Sequence, residues 1–283
     1  MGEARILKTG DTVTPNEFEF TYTGDYNYKE GASGTIEIEF LTSGTFTLLK
    51  STPFKPFDLC LVGGGGNGGG GSSNYISGGG GGYVENFYDI PVELNKAYPI
   101  VIGGSAGDTT GFGYIAKAGK SGSSGGSAGF VGGDGGSGGG AGYSGSTTFN
   151  NSSARYTNIF NVGKGQGKTT RAFGTGKLFG GGGGGIHGAG GFDGSDGVVE
   201  VTNNKDQTYK QYGGNGGGGA YSAAQNTTYQ NGQANTGGGG GGGYYMRGIG
   251  GSGIAILRRR WSETIPVVDN NKNLEVKSYT LNY

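Results

Sequence analysis

The sequence predicts an all-β protein with irregular polyglycine II. A β-sandwich-like unit carries an inserted bundle of packed polyglycine II helices, with essentially no α-helix. Three observations predict this. Glycine supplies 72 of 283 residues and runs unbroken at Gly63–Gly66, Gly68–Gly71, Gly78–Gly82, Gly138–Gly140, Gly180–Gly185, Gly216–Gly219 and Gly237–Gly243. Strand-like patterns stand on both sides of these runs. No segment sustains a 3.6-residue apolar period.

Glycine inside a strand or helix costs roughly 0.5–1 kcal/mol relative to alanine, so an ordinary core is not built this way. A disordered linker would be poor in aromatics, yet there are 18 Tyr and 14 Phe. Collagen needs Gly at every third position and abundant Pro; the chain has 6 Pro and no fixed period. Ordered polyglycine II rods remain. Each is an extended helix with three residues per turn and about 3.1 Å rise, without internal hydrogen bonds. Its backbone groups point outward and can bond neighbouring rods. The ordering entropy has to be offset by pairing nearly every buried N–H and C=O.

The elements follow in order. Residues 1–33 form a polar, Tyr-rich attachment segment, with alternating Phe18, Phe20 and Tyr22 as a strand. Residues 34–62 supply sandwich strands at 35–40, 45–49 and 57–62, by period-two patterning and β-branched enrichment. Residues 63–253 are the glycine-rich region, with strands at 83–90 and 98–102 and a short candidate at 198–202. Residues 254–283 are a closing strand and tail, with weaker strands near 266–268 and 274–281. Strands at both ends of the glycine imply one sheet unit closed by distant parts of the chain. The polar connectors 72–77, 144–161, 186–196, 203–212 and 220–236 should emerge at the bundle's ends, since side chains cannot fit between rods.

Charge is balanced, 21 basic against 21 acidic residues, which gives no electrostatic argument for nucleic acid or an anionic membrane. The lone Cys60 excludes an internal disulfide framework and reads as a core thiol. No apolar run reaches transmembrane length. The start, Met-Gly-Glu-Ala-Arg-Ile, has no signal-type apolar stretch and predicts synthesis in a cytoplasm without processing.

Chemistry lacks its parts. Gly163–Thr169 resembles a Walker loop superficially, but Val162 stands where the first Gly belongs and no β-α unit follows. His187 is the only histidine, and no ligand spacing builds a metal site around it. Asp193 and Asp196 read as a turn rather than a paired-acid site. The sequence therefore predicts no enzyme, no metal and no cofactor. The glycosylation-type triplets at Asn150, Asn151 and Asn226 would matter only in a secreted eukaryotic chain.

Binding is the better prospect. Tyr gives a rigid amphipathic face, while Asn, Ser and Gly add adaptable hydrogen bonds. The connector residues Tyr209, Tyr212, Tyr221, Asn226, Tyr229 and Asn231 are the leading receptor-binding candidates, followed by Tyr156 and Phe192. Arg258, Arg259, Arg260 and Trp261 form the one basic cluster. They read either as a strand end reaching solvent or as a subunit contact, since Arg and Trp are enriched at interfaces.

Several stretches together resemble a known family. They are Phe57–Val62 entering four glycines, Gly78–Gly82 before Tyr83-Val84, and Ile100-Val101-Ile102-Gly103-Gly104. Gly167–Gly174, Gly176–Phe179 and the exit Gly250–Arg258 complete the order. This arrangement, over about residues 35–260, resembles the glycine-rich domain of bacteriophage tail and fibre proteins. It is also similar to the glycine-rich extracellular module of the anaplastic lymphoma kinase receptor, whose cysteines are missing here. The resemblance implies a virion protein, a tail or fibre receptor-binding adhesin whose rigid stack presents loops to the host. It implies as partners a host surface glycan or protein, other virion proteins and further copies of itself, with neither nucleic acid nor membrane insertion. A structural virion component (capsid decoration, head fibre or baseplate part) is the alternative.

Overall fold

The computed structural model describes residues 18–31, 35–51, 57–70, 76–123, 132–140, 163–185, 217–219, 231–243 and 246–260. The strands are β1 (Phe18–Tyr22), β2 (Tyr26–Glu30), β3 (Ile36–Phe40), β4 (Gly44–Ser51) and β5 (Phe57–Val62). After the first glycines come β6 (Val84–Ile90), β7 (Ala97–Ile100), β8 (Thr109–Gly111) and β9 (Tyr114–Ala116), and after the last comes β10 (Ile254–Arg259). One 3-10 turn, Ala172–Gly174, is the only helical element among the described residues. The protein is all-β, with antiparallel sheets.

Two sheets make the sandwich. The smaller has the order β1-β4-β7 and the larger β2-β3-β10-β5-β6, while β8 and β9 form a separate hairpin. β10 pairs with β3 on one side and β5 on the other. The chain thus spends nearly two hundred residues (63–253) between two neighbouring strands, and the closure expected from the flanking patterns is present.

Alternation places the core. Ile36, Ile38 and Phe40 of β3 face Phe46 and Leu48 of β4, joined by Leu59, Leu61, Ile100 and Leu257, all essentially solvent-free. β5 is buried along its whole length. Its odd residues Phe57, Leu59 and Leu61 enter this core, while Cys60 and Val62 face a second cluster with Phe173, Phe179, Ile254 and Ile256. Burial pushes the Cys60 thiol up to about 12, so it stays a protonated core residue.

The strands expected at 18–22, 35–40, 45–49, 57–62, 83–90, 98–102 and 253–258 are present with small boundary shifts. β2 was expected only as polar, Tyr-rich chain, and its five exposed residues lack the half-buried alternation that marks a strand. β8 and β9 are three residues each, too short for a pattern. The expected strands at 198–202, 266–268 and 274–281 lie outside the described residues.

Candidate functional site

The glycine runs lie side by side, and segment 77–83 is the axis of the bundle. Ser77, Gly80 and Tyr83 donate their N–H groups to Ser123, Lys120 and Lys117. Gly78 and Gly81 donate to Gly140 and Ser137, and Gly79 and Gly82 to Gly240 and Gly237. The carbonyls of Ser77, Gly80 and Tyr83 accept from Gly69, Gly66 and Gly63. Those of Gly78 and Gly81 accept from Gly133 and Gly136, and that of Gly79 from Gly183. Six passes of chain, two of them from residues 132–140, therefore surround the axis, and the neighbouring segment bonded recurs every three residues. A Cβ on any of Gly78 to Gly82 would come within 3.0 Å of a backbone oxygen, on Gly183, Gly66, Asp134, Gly180 and Gly63 in turn. No side chain fits on any face of this rod.

The bonding register gives the bundle two poles. Tyr83 runs into β6, and Gly63 follows β5, so the Gly63–Tyr83 level adjoins the sheets. The Gly69–Ser77 level is the far end. Within the glycine-rich region the described residues that flank the connectors are Gly70, Ile76, Ser123, Gly132, Gly140, Gly163, Gly185, Gly217, Gly219, Asn231, Gly243 and Met246. The bonds of Gly69, Ser77, Gly78, Gly139, Gly140, Gly184 and Gly243 place these flanks in the far half of the bundle. Gly217 is the exception, accepting from Gln233 nearer the sheets. At the other extreme, Phe18 pairs with Ser51 and Arg259 with both Phe57 and Ile36, at the strand ends pointing away from the glycine. The outermost described residues thus lie at one pole, and the connector flanks other than Gly217 lie toward the other.

The family model described as a glycine-rich domain matches residues 41–260. The chain belongs to the glycine-rich domain family. The match begins just after β3 and ends just after β10, so it takes in the whole bundle together with the strands that clamp it. No curated protein matches the chain.

Of the expected receptor-binding residues of this glycine-rich domain protein, Tyr156, Phe192, Tyr209, Tyr212, Tyr221, Asn226 and Tyr229 lie outside the described residues, as does Trp261. Asn231 is exposed, and its Oδ1 accepts from the Ile249 N–H at 2.8 Å. It anchors a connector flank to the neighbouring glycine segment. The three arginines find partners inside the chain. Arg258 and Arg260 ion-pair with the fully buried Asp58 at 2.8 and 2.9 Å, and Arg260 also reaches Asp89. The Arg258 guanidinium lies 3.8 Å from the Phe173 ring centroid, and that of Arg259 lies 5.2 Å from Phe18. Burial lowers the Arg259 pKa.

Segment 163–169 is a brace rather than a phosphate cradle. Val84 N–H donates to Gln166 Oε1 at 2.8 Å, and Gln166 Nε2 donates to the Val84 and Thr169 carbonyls at 3.2 and 2.8 Å. Lys168 pairs with Glu85. One side-chain amide thereby completes the backbone bonding of the first residue of β6.

An aromatic groove on the sandwich was not expected. Phe18, Glu19, Phe20, Tyr26, Tyr28 and Leu49 line a volume of about 470 Å³ between β1 and β2. Burial and a hydrogen bond to Glu30 push the Tyr28 hydroxyl up to about 12; burial and Asp25 do the same for Tyr22. Burial raises the pKa of Glu37. Burial acts upward on Glu39 too, but its bonds from Lys29 and Asn27 outweigh it and hold the carboxyl below its usual value. The signal was available: the Phe18, Phe20, Tyr22 alternation resumes as Tyr26 and Tyr28 after Gly24-Asp25.

Proposed function

We propose that the protein is a bacteriophage tail or fibre adhesin that holds host-binding loops on a rigid polyglycine II scaffold. The observation that carries this reading is the polarity of the molecule. The sheet pole, where the outermost described residues lie, would attach to the virion. The far pole, toward which the described flanks of the Tyr-, Asn- and Ser-rich connectors lie with the exception of Gly217, would meet the host. Tyr209, Tyr212, Tyr221 and Tyr229 would stack on surface sugars or protein, with Asn226, Asn231, Tyr156 and Phe192 completing the contact. Binding is the whole of the proposed role, with no bond made or broken. Several copies on one particle would convert weak contacts into avidity.

The deciding experiment is whole-cell binding by purified protein, competed with surface sugars. Replacing Tyr221 and Tyr229 together with Ala should abolish adsorption and leave the melting temperature unchanged. Adsorption at the wild-type level would remove these loops from the site. The second reading, a capsid decoration, head fibre or baseplate component, draws on the same sheet pole, where the basic strand end and both flanks would dock onto neighbours. Labelled copies imaged on particles separate the two: tail-end placement favours adhesion, capsid-wide placement favours decoration.

A further inference from the structure

The sandwich treats its edges unequally. At one end of the large sheet β6 is sealed. Gln166 bonds both backbone groups of Val84, and Asn86 donates to the Arg171 carbonyl at 3.0 Å while accepting from Phe173 N–H at 2.9 Å. β7 in the small sheet continues into a bridge between Val101 and Thr110, which ties it to the β8–β9 hairpin. On the opposite side, β1 and β2 end their sheets, and neither has an outer partner strand among the described residues.

These two edges differ as well. β1 carries a bulge between Glu19 and Phe20, a device that turns an edge away from further pairing. β2 has none, and its five residues pair with β3 in unbroken register. Every residue of β2 is exposed. Its lysine does not blunt the edge as a free charge, because Lys29 is paired with Glu39. The rings of Tyr26 and Tyr28 lie 5.3 and 6.1 Å from Phe20 and keep 43 % and 41 % of their surface in solvent. A strand in unbroken register, with no outer partner among the described residues and exposed rings beside it, is a template for another strand.

We propose that the occupant is a second copy of this chain, with β2 pairing antiparallel to the neighbour's β2 across a twofold axis at Tyr28. The two five-stranded sheets would then be continuous. The sequence of β2 argues for its own copy. Antiparallel pairing of Tyr26-Asn27-Tyr28-Lys29-Glu30 with itself about its middle sets Tyr28 against Tyr28, Asn27 against Lys29 and Tyr26 against Glu30. No like charges meet, and an aromatic pair sits at the centre, both favourable between cross-strand neighbours. Self-complementarity of this kind is what a twofold contact requires. The surface lies on the sandwich, away from the connector pole, so the contact leaves the far end of each bundle open.

Light-scattering mass across a concentration series should give a reversible dimer. Asn27→Lys would set a lysine against Lys29 of the neighbour twice over, and should weaken the dimer roughly tenfold. Tyr28→Cys should cross-link into a disulfide dimer under mild oxidation, since residues opposed in an antiparallel pair lie within disulfide reach. Asn27→Cys alone should not. The background is clean: the sole native cysteine, Cys60, is fully buried. All these positions are exposed, and thermal unfolding checks that each variant is folded. A monomer at every concentration, a dimer indifferent to Asn27→Lys, or a dimer in which Tyr28→Cys fails to cross-link would each overturn the proposal.

Discussion

A methyl group on Gly82 would run into the carbonyl oxygen of Gly63, closer than 3.0 Å and backbone against backbone. Neither partner can step aside. The Gly63 N–H is bonded to the Tyr83 carbonyl at 3.0 Å, and Gly82 N–H to that of Gly237 at 2.7 Å. Gly82→Ala should therefore cost about 3 kcal/mol or more, at the top of the overpacking range. Gly104 is the control, exposed and with open space where its Cβ would go. Gly104→Ala should be neutral or stabilise by about 0.5 kcal/mol through the unfolded chain. Chemical denaturation of the pair decides whether the runs are steric or merely compositional. Equal effects at both positions would refute the close packing.

Gln166 supplies Val84 with the hydrogen bonds that a neighbouring strand would otherwise give. Val84 is 1 % exposed, so Gln166→Ala should leave its N–H and C=O short of partners at about 1–3 kcal/mol. Amide exchange at Val84 should accelerate more than at Leu59 in the sheet centre. Gln166→Glu can still accept from Val84 N–H but, while ionised, cannot donate to the Val84 and Thr169 carbonyls. It should recover part of its stability as pH falls and the carboxyl gains a proton. A Glu variant insensitive to pH would argue against this donor role.

How far the sequence reached follows from what a pattern can encode. β3, β5 and β10 were legible because each alternates or runs apolar over five or six residues; the closure by β10 was expected, but its place between β3 and β5 comes from the structure. β2 was not, because a bare edge exposes both faces. The partners within the bundle were also illegible. Gly78 and Gly80 are chemically identical in the sequence, yet the first bonds Gly140 and the second Lys120; register is set by the breaks at Asn67, Ser77 and Ser137. For the candidate site, composition identified the connectors, and the fold adds that their described flanks, Gly217 excepted, lie toward one pole. The arginines were read as a strand end reaching solvent or a subunit contact, and Asp58 inside the apolar Phe57-Asp58-Leu59-Cys60 was the clue to their partner within the chain. A carboxylate in a buried strand needs a cation.

Asp58 is fully buried and holds two guanidiniums that are partly exposed, Arg258 at 22 % and Arg260 at 39 %. It also accepts from Asp89 N–H at 3.2 Å. Asp58→Ala would take the carboxylate from Arg258 and leave Arg260 with Asp89 alone, and should cost about 3 kcal/mol, the lower end for a broken buried pair given their solvent access. Arg260→Ala keeps the Asp58–Arg258 pair and should cost much less. Comparable losses from the two variants, measured by denaturant titration, would show that Asp58 is not the centre of the cluster.

Two aspartates staple segments to the bundle and should set its acid limit. Asp108 accepts from Lys117 Nζ and Ala118 N–H, both at 2.8 Å, and these bonds hold its carboxyl below the ordinary 3.8. For Asp134 burial acts upward, but Lys164 N–H at 2.7 Å and Lys120 Nζ at 3.0 Å outweigh it and hold the carboxyl low as well. A carboxylate depressed in the folded chain binds protons more readily when unfolded. Its contribution is complete above 3.8 and is lost as pH falls through the lowered folded values. The melting temperature should thus fall below that point. The Asp108→Asn, Asp134→Asn double variant should begin lower at neutral pH, fall less steeply, and approach the wild type in acid. Both side chains keep part of their surface in solvent, 37 % for Asp108 and 28 % for Asp134, which keeps the effect modest and salt-sensitive. Curves that stay parallel down the acid limb would mean that these carboxylates act by shape rather than by charge.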